Sequence, residues 1–113
     1  MDFNEEKEWA MFVHLISLAG FIIPFGNILG PVILWSMKKD SSKFVDEHGK
    51  ESVNFQITIT IFAFIFLILS LFCIGIFLLI AETIFMLVCV IWASIEANNG
   101  KYFRYPISIR FIK

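Results

Sequence analysis

Residues 44–56 read Phe-Val-Asp-Glu-His-Gly-Lys-Glu-Ser-Val-Asn-Phe-Gln, and residues 57–80, which follow directly, contain no charged side chain. Charge and hydrogen-bonding capacity are therefore dense up to Gln56, and charge is absent from the stretch that follows. A helix that begins in water and continues into hydrocarbon has this pattern, because charged groups are costly inside a bilayer and long apolar runs are not. The stretch predicts a helix that enters a membrane.

The composition also favours a bilayer over water as the surrounding solvent. The chain has 113 residues, of which 58% are hydrophobic and 14 are Phe, whereas soluble domains are about 45–50% apolar. A soluble core of this size could not enclose that many Phe rings, but lipid can surround them. The length allows at most one domain, so we predict a single integral membrane domain over residues 1–113. The net charge of −1 gives no electrostatic reason to expect nucleic acid as a partner.

The two cysteines and the first residues carry no processing or metal-binding signal. Cys73 and Cys89 both lie in apolar runs, without the spacing of a zinc site, so we expect small packing side chains and neither a disulfide, a metal nor another cofactor. Residues 1–8 are acidic where a signal peptide would be basic. The spans themselves are therefore expected to direct insertion.

Turn-forming residues divide the chain into four helices and a tail. Two apolar segments, 9–23 and 28–37, flank Pro24-Phe25-Gly26-Asn27, and each is shorter than the roughly 20 residues that cross hydrocarbon. They form either one broken span or a hairpin of two short helices, and four helix-unfriendly residues in succession favour the hairpin. We therefore predict an all-α membrane protein, a four-helix bundle of two helical hairpins of which the first is short, with an extended C-terminal tail. The predicted bounds are about 8–23, 28–38, 42–72 and 77–97 for the helices and 98–113 for the tail.

Positive charge marks one side of this bundle. Lysine and arginine are absent from the turns at 24–27 and 73–76 and concentrate in the connector and the tail, which flank the long hairpin. Because cytoplasmic loops carry an excess of these residues, we expect a multi-pass protein of the cytoplasmic (inner) membrane with both termini cytoplasmic. The cations are Lys38, Lys39, Lys43, Lys50, Lys101, Arg104, Arg110 and Lys113.

Helical spacing predicts a polar cluster near the cytoplasmic end. On the third predicted helix, a polar stripe of Glu47, Glu51, Asn54 and Thr58 is spaced by four, three and four residues. Similar stripes of small or polar residues on the first and last helices would bring His14 and Glu96 into the same cluster. It is either a protonatable or ligand-binding site or a hydrogen-bonded lock, and the lock is favoured because polar contacts commonly hold membrane helices together.

Two further features remain outside this cluster. Glu82 is an isolated charge in the outer half of the last span, where it is protonated, reaches the interface, or bonds Ser70 or Asn27; a transport role is the alternative. The tail alternates an aromatic and aliphatic face with a face that carries Arg104 and Arg110. Such a strip suits the membrane interface, with Arg104, Tyr105 and Arg110 as contact residues, or strand addition to a partner, or folding over the protein's own cytoplasmic end.

Several motifs together resemble one family. They are Trp9-Ala-Met11, His14-Leu15, Pro24-Phe-Gly-Asn27, Gly30-Pro31, Trp35, Asp46-Glu-His-Gly-Lys-Glu51, Asn54-Phe-Gln56, Gly100-Lys-Tyr102 and Arg104-Tyr-Pro106. The chain resembles, over nearly its whole length, a group of short bacterial membrane proteins of unknown function that are described as similar to the chloroplast inner-envelope import component Tic-twenty. The resemblance implies a four-helix membrane domain and brings no catalytic residues.

The function that the sequence favours is non-enzymatic. We expect an accessory or scaffold subunit of a membrane complex, with protein insertion or export as a candidate process. Its partners would be the lipid bilayer and another protein or a second copy, contacted through the helices. The alternative is a small oligomeric transporter or channel that uses Glu82 and the polar cluster.

Overall fold

The computed structural model describes residues 2–112, and it is helical throughout except for the turns and the tail. No strand occurs among these residues, so the predicted all-α bundle is confirmed. The helices are α1 (Phe3–Leu15), α2 (Gly26–Lys38), α3 (Lys43–Leu69) and α4 (Ile74–Asn98), with 3-10 turns at Ile16–Phe21 and Ser70–Phe72.

Side-chain caps set where α1 and α3 begin. The Asp2 carboxylate accepts a hydrogen bond from the Glu5 amide at 2.8 Å, so α1 begins well before the predicted start at residue 8. The Ser42 hydroxyl accepts from the Val45 amide at 3.2 Å and begins α3. Both oxygens satisfy an amide that the first helical turn leaves without a partner.

The first two helices form the short hairpin rather than one broken span. The chain reverses at Phe25, whose φ of 62° is left-handed, and α2 then returns along the 3-10 turn. Gly30 permits this close approach, because a Cβ there would lie 2.9 Å from the carbonyl oxygen of Ile16. The predicted hairpin is thereby confirmed.

The second hairpin reverses at Cys73 (φ 69°) and is much longer. Residues Lys43–Phe72 and Ile74–Asn98 are each long and apolar enough to cross a bilayer. At 1.5 Å per residue they measure about 45 Å and 38 Å, more than the roughly 30 Å of a hydrocarbon core.

The molecule has a wide half and a narrow half, which we call the base (residues 2–60 and 85–112) and the stalk (61–84). In the base, α1, α2 and the tail surround α3 and α4, and the buried core lies there. The short hairpin ends at Phe25, whose ring centroid is 6.1 Å from that of Phe64 at the start of the stalk. Beyond that point α3 and α4 continue as a pair, and in the stalk only Gly75 is buried.

The tail turns back onto the base and packs along α3. Phe103 and Tyr105 are buried, in line with the predicted alternation. The alternation ends there because the chain bends at Pro106 and Ile107. From the bend onward, Ile107, Ile109 and Phe111 are each about half exposed.

Candidate functional site

A chain of side-chain hydrogen bonds joins three elements in the centre of the base, and we call it the histidine relay. His14 of α1 lies with Nδ1 2.7 Å from the Tyr105 hydroxyl of the tail and with Nε2 2.8 Å from Nδ1 of His48 of α3. His48 Nε2 in turn lies 2.9 Å from the carbonyl oxygen of Lys101. All three side chains are at most 2% exposed, so water does not compete for these bonds.

The carbonyl of Lys101 fixes the direction of every bond in the relay. A carbonyl only accepts, so His48 Nε2 carries a hydrogen and donates it, which leaves Nδ1 of neutral His48 as an acceptor. His14 Nε2 then donates to His48, and His14 Nδ1 accepts from the Tyr105 hydroxyl. With both rings neutral, each ring nitrogen has one partner of the right kind.

Burial keeps the relay in this neutral form. Desolvation, with the neighbouring His48 as a smaller cause, lowers the pKa of His14 well below its usual value. Desolvation also raises the pKa of the Tyr105 hydroxyl, and Cys89 and Glu51 nearby raise it further. A proton added to His14 Nδ1 would make that nitrogen a donor. The Tyr105 hydroxyl would then have to accept from it, and the hydroxyl hydrogen would need a new partner.

A second set of bonds fastens the tail to α3 through what we call the polar strip, Glu51, Asn54 and Thr58. The Tyr105 amide donates to Glu51 Oε1 at 3.0 Å, and the Ile109 amide donates to Thr58 Oγ1 at 2.9 Å. An irregular backbone needs such partners where water is scarce, since an unsatisfied amide is costly there. The sequence predicted that the polar stripe of α3 faces other helices. In the structure, its residues Glu51, Asn54 and Thr58 face the tail.

Arg110 adds an ion pair to this strip. Its Nε lies 3.0 Å from Glu51 Oε2, although the N–H is not aimed at that oxygen, and both side chains are largely enclosed. The guanidinium also donates to the carbonyls of Ser108 at 2.8 Å and Tyr105 at 3.3 Å. The predicted contact residues Tyr105 and Arg110 thus lie against the protein itself, while Arg104 is exposed.

The structure brings His14, Glu51 and Asn54 together around the tail and leaves Glu96 apart. Glu96 is half-buried, and none of the bonds of the relay or of the polar strip involves its side chain. Sequence reasoning left His48 out of the cluster, because adjacent helical residues diverge by about 100° and His48 therefore does not share a face with Glu47. The signal for it was the spacing of His48, Ser52 and Gln56 on a face that is fully buried.

Glu82 lies between α3 and α4 at the start of the stalk. It lines two open grooves of about 320 and 340 Å³ on either side of Ile59, and its Oε2 has no hydrogen-bond partner among residues 2–112. Asn27, a predicted partner, instead donates to Gln56 Oε1 at 3.1 Å and to Thr60 Oγ1 at 3.0 Å.

The described acidic and histidine side chains do not come together in the number that a metal centre needs. Within residues 2–112 no group of three or more His, Cys, Asp or Glu side chains is placed to hold a metal ion. The His14 and His48 nitrogens face each other at hydrogen-bonding distance, and their hydrogen atoms and lone pairs are already used. The site is arranged to hold the tail in place.

A family model described as the magnetosome magnetite crystal formation protein family matches residues 5–112. No curated protein and no solved structure matches the chain. Nothing in these comparisons bears on the resemblance to the chloroplast import component, which stays a prediction.

Proposed function

The chain belongs to the magnetosome magnetite crystal formation protein family, and from that membership we propose that it is a small protein of the magnetosome membrane that takes part in forming magnetite crystals. The family match over residues 5–112 is the observation that carries this proposal. It covers the base, the stalk and nearly all of the tail, so it concerns the whole fold. The family is described by a process and not by an enzymatic reaction.

Within that process we assign the chain an accessory or scaffold role. The polar groups of the base support this assignment, because the relay and the polar strip form their hydrogen bonds with the protein's own tail. Polar groups that are bonded to the tail in this way stabilise the fold of the base. Protein insertion or export, as a more specific form of the role, rests on the resemblance to the import component alone.

The test uses a magnetite-forming host that lacks its own member of the family. We expect the chain, expressed there with a fluorescent tag, to co-localise with the magnetosomes and to change the size or number of crystals seen by electron microscopy. A matched control is Glu8→Gln, which removes an exposed charge at the base. An even distribution over the cell membrane with unchanged crystals would contradict the proposal.

A small transporter or channel is the second candidate, and Glu82 is the observation that favours it. A carboxylate that couples transport must change charge or partner during each cycle, and Glu82 lines two grooves with an unpartnered oxygen. In an accessory protein, Glu82→Gln should be neutral or mildly stabilising, because an amide costs less to bury than a charge.

Reconstituted protein separates the two candidates. The accessory role predicts no proton- or ion-dependent flux into vesicles, with the same result for Glu82→Gln. Glu96→Gln is the matched control, since it changes a half-buried carboxylate on the same helix. A flux that Glu82→Gln abolishes and Glu96→Gln preserves would establish the transporter instead.

A further inference from the structure

A polar cavity of about 440 Å³ opens in the base between α3 and the tail. Its volume lies within the roughly 300–1,000 Å³ of small-molecule sites. It is lined by both signs of charge and by aromatic rings, and we call it the base cavity. The lining residues are Lys43, Glu47, His48, Glu51, Tyr102, Phe103 and Arg104.

The charges of the base cavity are not all engaged with each other. Glu51 is already paired with Arg110 and with the Tyr105 amide. Glu47 is left with a distant contact to Lys50 at 4.0 Å, and its side chain is 45% exposed. Lys43 and Arg104 are exposed, and neither takes part in an ion pair within residues 2–112. Two cations and one carboxylate are therefore available to a ligand.

The charge pattern along α3 predicts that the base cavity lies at the depth of lipid headgroups. Along α3 the last charged residue is Glu51, and the mainly apolar run begins at Ile57, so we place the boundary between water and hydrocarbon between them. The cavity is on the water side of that boundary. Trp92 and Tyr102 lie exposed at the same end of the molecule, as aromatic residues at membrane interfaces commonly do.

A separate groove, lined by apolar residues and by Thr58 and Glu82, lies on the stalk side of the base cavity. On α3, the spacing of Glu51, Thr58, Phe62 and Phe66 places them on one face, and the last three line the groove of about 320 Å³ beside α4. Ile107 of the tail also lines that groove and is 59% exposed. From Glu51 to Phe62 the distance along the helix is about 16 Å, close to the depth of one leaflet.

We propose that the base cavity binds a phospholipid of the surrounding bilayer whose headgroup carries both a phosphate and an ammonium group. Lys43 and Arg104 bind the phosphate, and Glu47 binds the ammonium group beside the ring of Tyr102. One acyl chain passes over Ile107 into the groove between α3 and α4. This inference goes beyond the proposed function and does not depend on it, because it requires only that the protein lie in a membrane.

The charges distinguish this lipid from an anionic one. Phosphatidylglycerol and phosphatidylethanolamine both offer a phosphate to Lys43 and Arg104. Only phosphatidylethanolamine has an ammonium group, which donates charge-assisted hydrogen bonds to a carboxylate and is attracted to an aromatic face. Glu47 would therefore select between the two lipids.

Native mass spectrometry of the protein in mild detergent measures this selection. With equal amounts of the two lipids and identical acyl chains, we expect several-fold more adduct with phosphatidylethanolamine. Lys43→Gln and Arg104→Gln should each reduce both adducts by about tenfold, the loss of one charge-assisted contact. Glu47→Gln should lower the phosphatidylethanolamine adduct to the level of phosphatidylglycerol and leave the latter unchanged.

The matched controls are Lys39→Gln and Glu8→Gln, which change exposed charges at the same end outside the cavity. Both should bind as the wild type does. Equal adducts for the two lipids, a preference for phosphatidylglycerol, or the same loss in the controls would overturn the proposal. Displacement of the lipid by a tenfold excess of soluble phosphoethanolamine would overturn the acyl-chain part, because a headgroup site alone would then explain the binding.

Discussion

At the scale of single residues, the tail is held to the base by side chains that form hydrogen bonds with its backbone amides and carbonyls. Asn54 donates from Nδ2 to the carbonyl of Ile112 and accepts at Oδ1 from the Ile112 amide, both at 2.8 Å. One amide side chain thus bonds both backbone groups of Ile112, as a neighbouring strand would do. Leu has nearly the same size but offers neither group.

Asn54→Leu should therefore loosen the tail without preventing membrane insertion. The expected loss is about 1–2 kcal/mol, the size of polar contacts between membrane helices, measured as a lower melting temperature in detergent. Asn4→Leu, an exposed position on α1, is the control and should not lower it. An unchanged melting temperature for Asn54→Leu would mean that this contact contributes nothing.

The histidine relay makes the base sensitive to acid. Because burial lowers the pKa of His14, the folded protein takes up a proton at lower pH than the unfolded chain, whose histidines titrate near 6.5. The free energy of unfolding therefore keeps its full value above about pH 6.5. It falls as the pH drops below this value, because the unfolded chain then binds a proton that the folded protein does not. The melting temperature should drop between pH 7 and pH 5, and the drop should be smaller in His14→Gln. Equal slopes in both proteins would contradict a role for His14.

At the scale of elements, the two reversals hold non-glycine residues in a left-handed conformation. A positive φ at Phe25 and at Cys73 brings the Cβ close to the following carbonyl, which costs about 1–2 kcal/mol per residue. The second reversal is tight as well, because Gly75 lies against the backbone of Phe66 and Ser70 with no room for a Cβ.

Gly75→Ala and Cys73→Gly should therefore act in opposite directions on the long hairpin. Gly75→Ala should destabilise it by about 1–3 kcal/mol, since a Cβ there meets backbone that cannot move aside. Cys73→Gly should stabilise it by less than about 1 kcal/mol, because glycine adopts the positive φ without strain but is freer when unfolded. Thermal unfolding in detergent measures both effects, with Cys73→Ala as a control that keeps the strain. Stabilisation by Gly75→Ala would show that the reversal is looser than described.

Sequence reasoning found the elements but not the route of the tail. Pro24-Phe25-Gly26-Asn27 predicts a turn by composition, and the uncharged run after Gln56 predicts the long helix, because both signals are local. The tail's path depends on bonds between residues such as Thr58 and Ile109, more than fifty positions apart. Alternation in the tail predicts an extended chain and contains no information about which surface receives it. The partners of His48 are also distant in sequence, on α1 and in the tail, so its role in the relay could not be predicted locally.

At the scale of the whole molecule, the charged and aromatic residues concentrate at the base. The ammonium groups of Lys38 and Lys39 lie 4.5 Å and 4.8 Å from the ring centroids of Trp9 and Trp35. The start of α1, the connector between α2 and α3, and the end of α4 all lie at this end. The reversal at Cys73 lies at the other end of a molecule 51 Å long.

Cysteine labelling should therefore divide the chain into two sides. In sealed vesicles, a membrane-impermeant maleimide should reach Cys73 from one side, and cysteines placed at Asn4, Ser41 and Asn99 from the other. All four positions are exposed, so burial within the protein limits labelling at none of them. Positive-inside bias predicts that the side with the three introduced cysteines is cytoplasmic. Labelling of position 4 from the same side as Cys73 would contradict the hairpin.

The short first hairpin gives the protein unequal cross-sections in the two leaflets. Four helices and the tail displace lipid on the side of the base, whereas only α3 and α4 displace lipid on the side of the stalk. A bilayer that contains many such wedges relieves the difference in area by bending, with the wider side on the convex surface. Positive-inside bias predicts a cytoplasmic base, and the convex surface would then face the cytoplasm, as it does around a small vesicle inside a cell. The shape of the molecule therefore favours a curved compartment over a flat membrane.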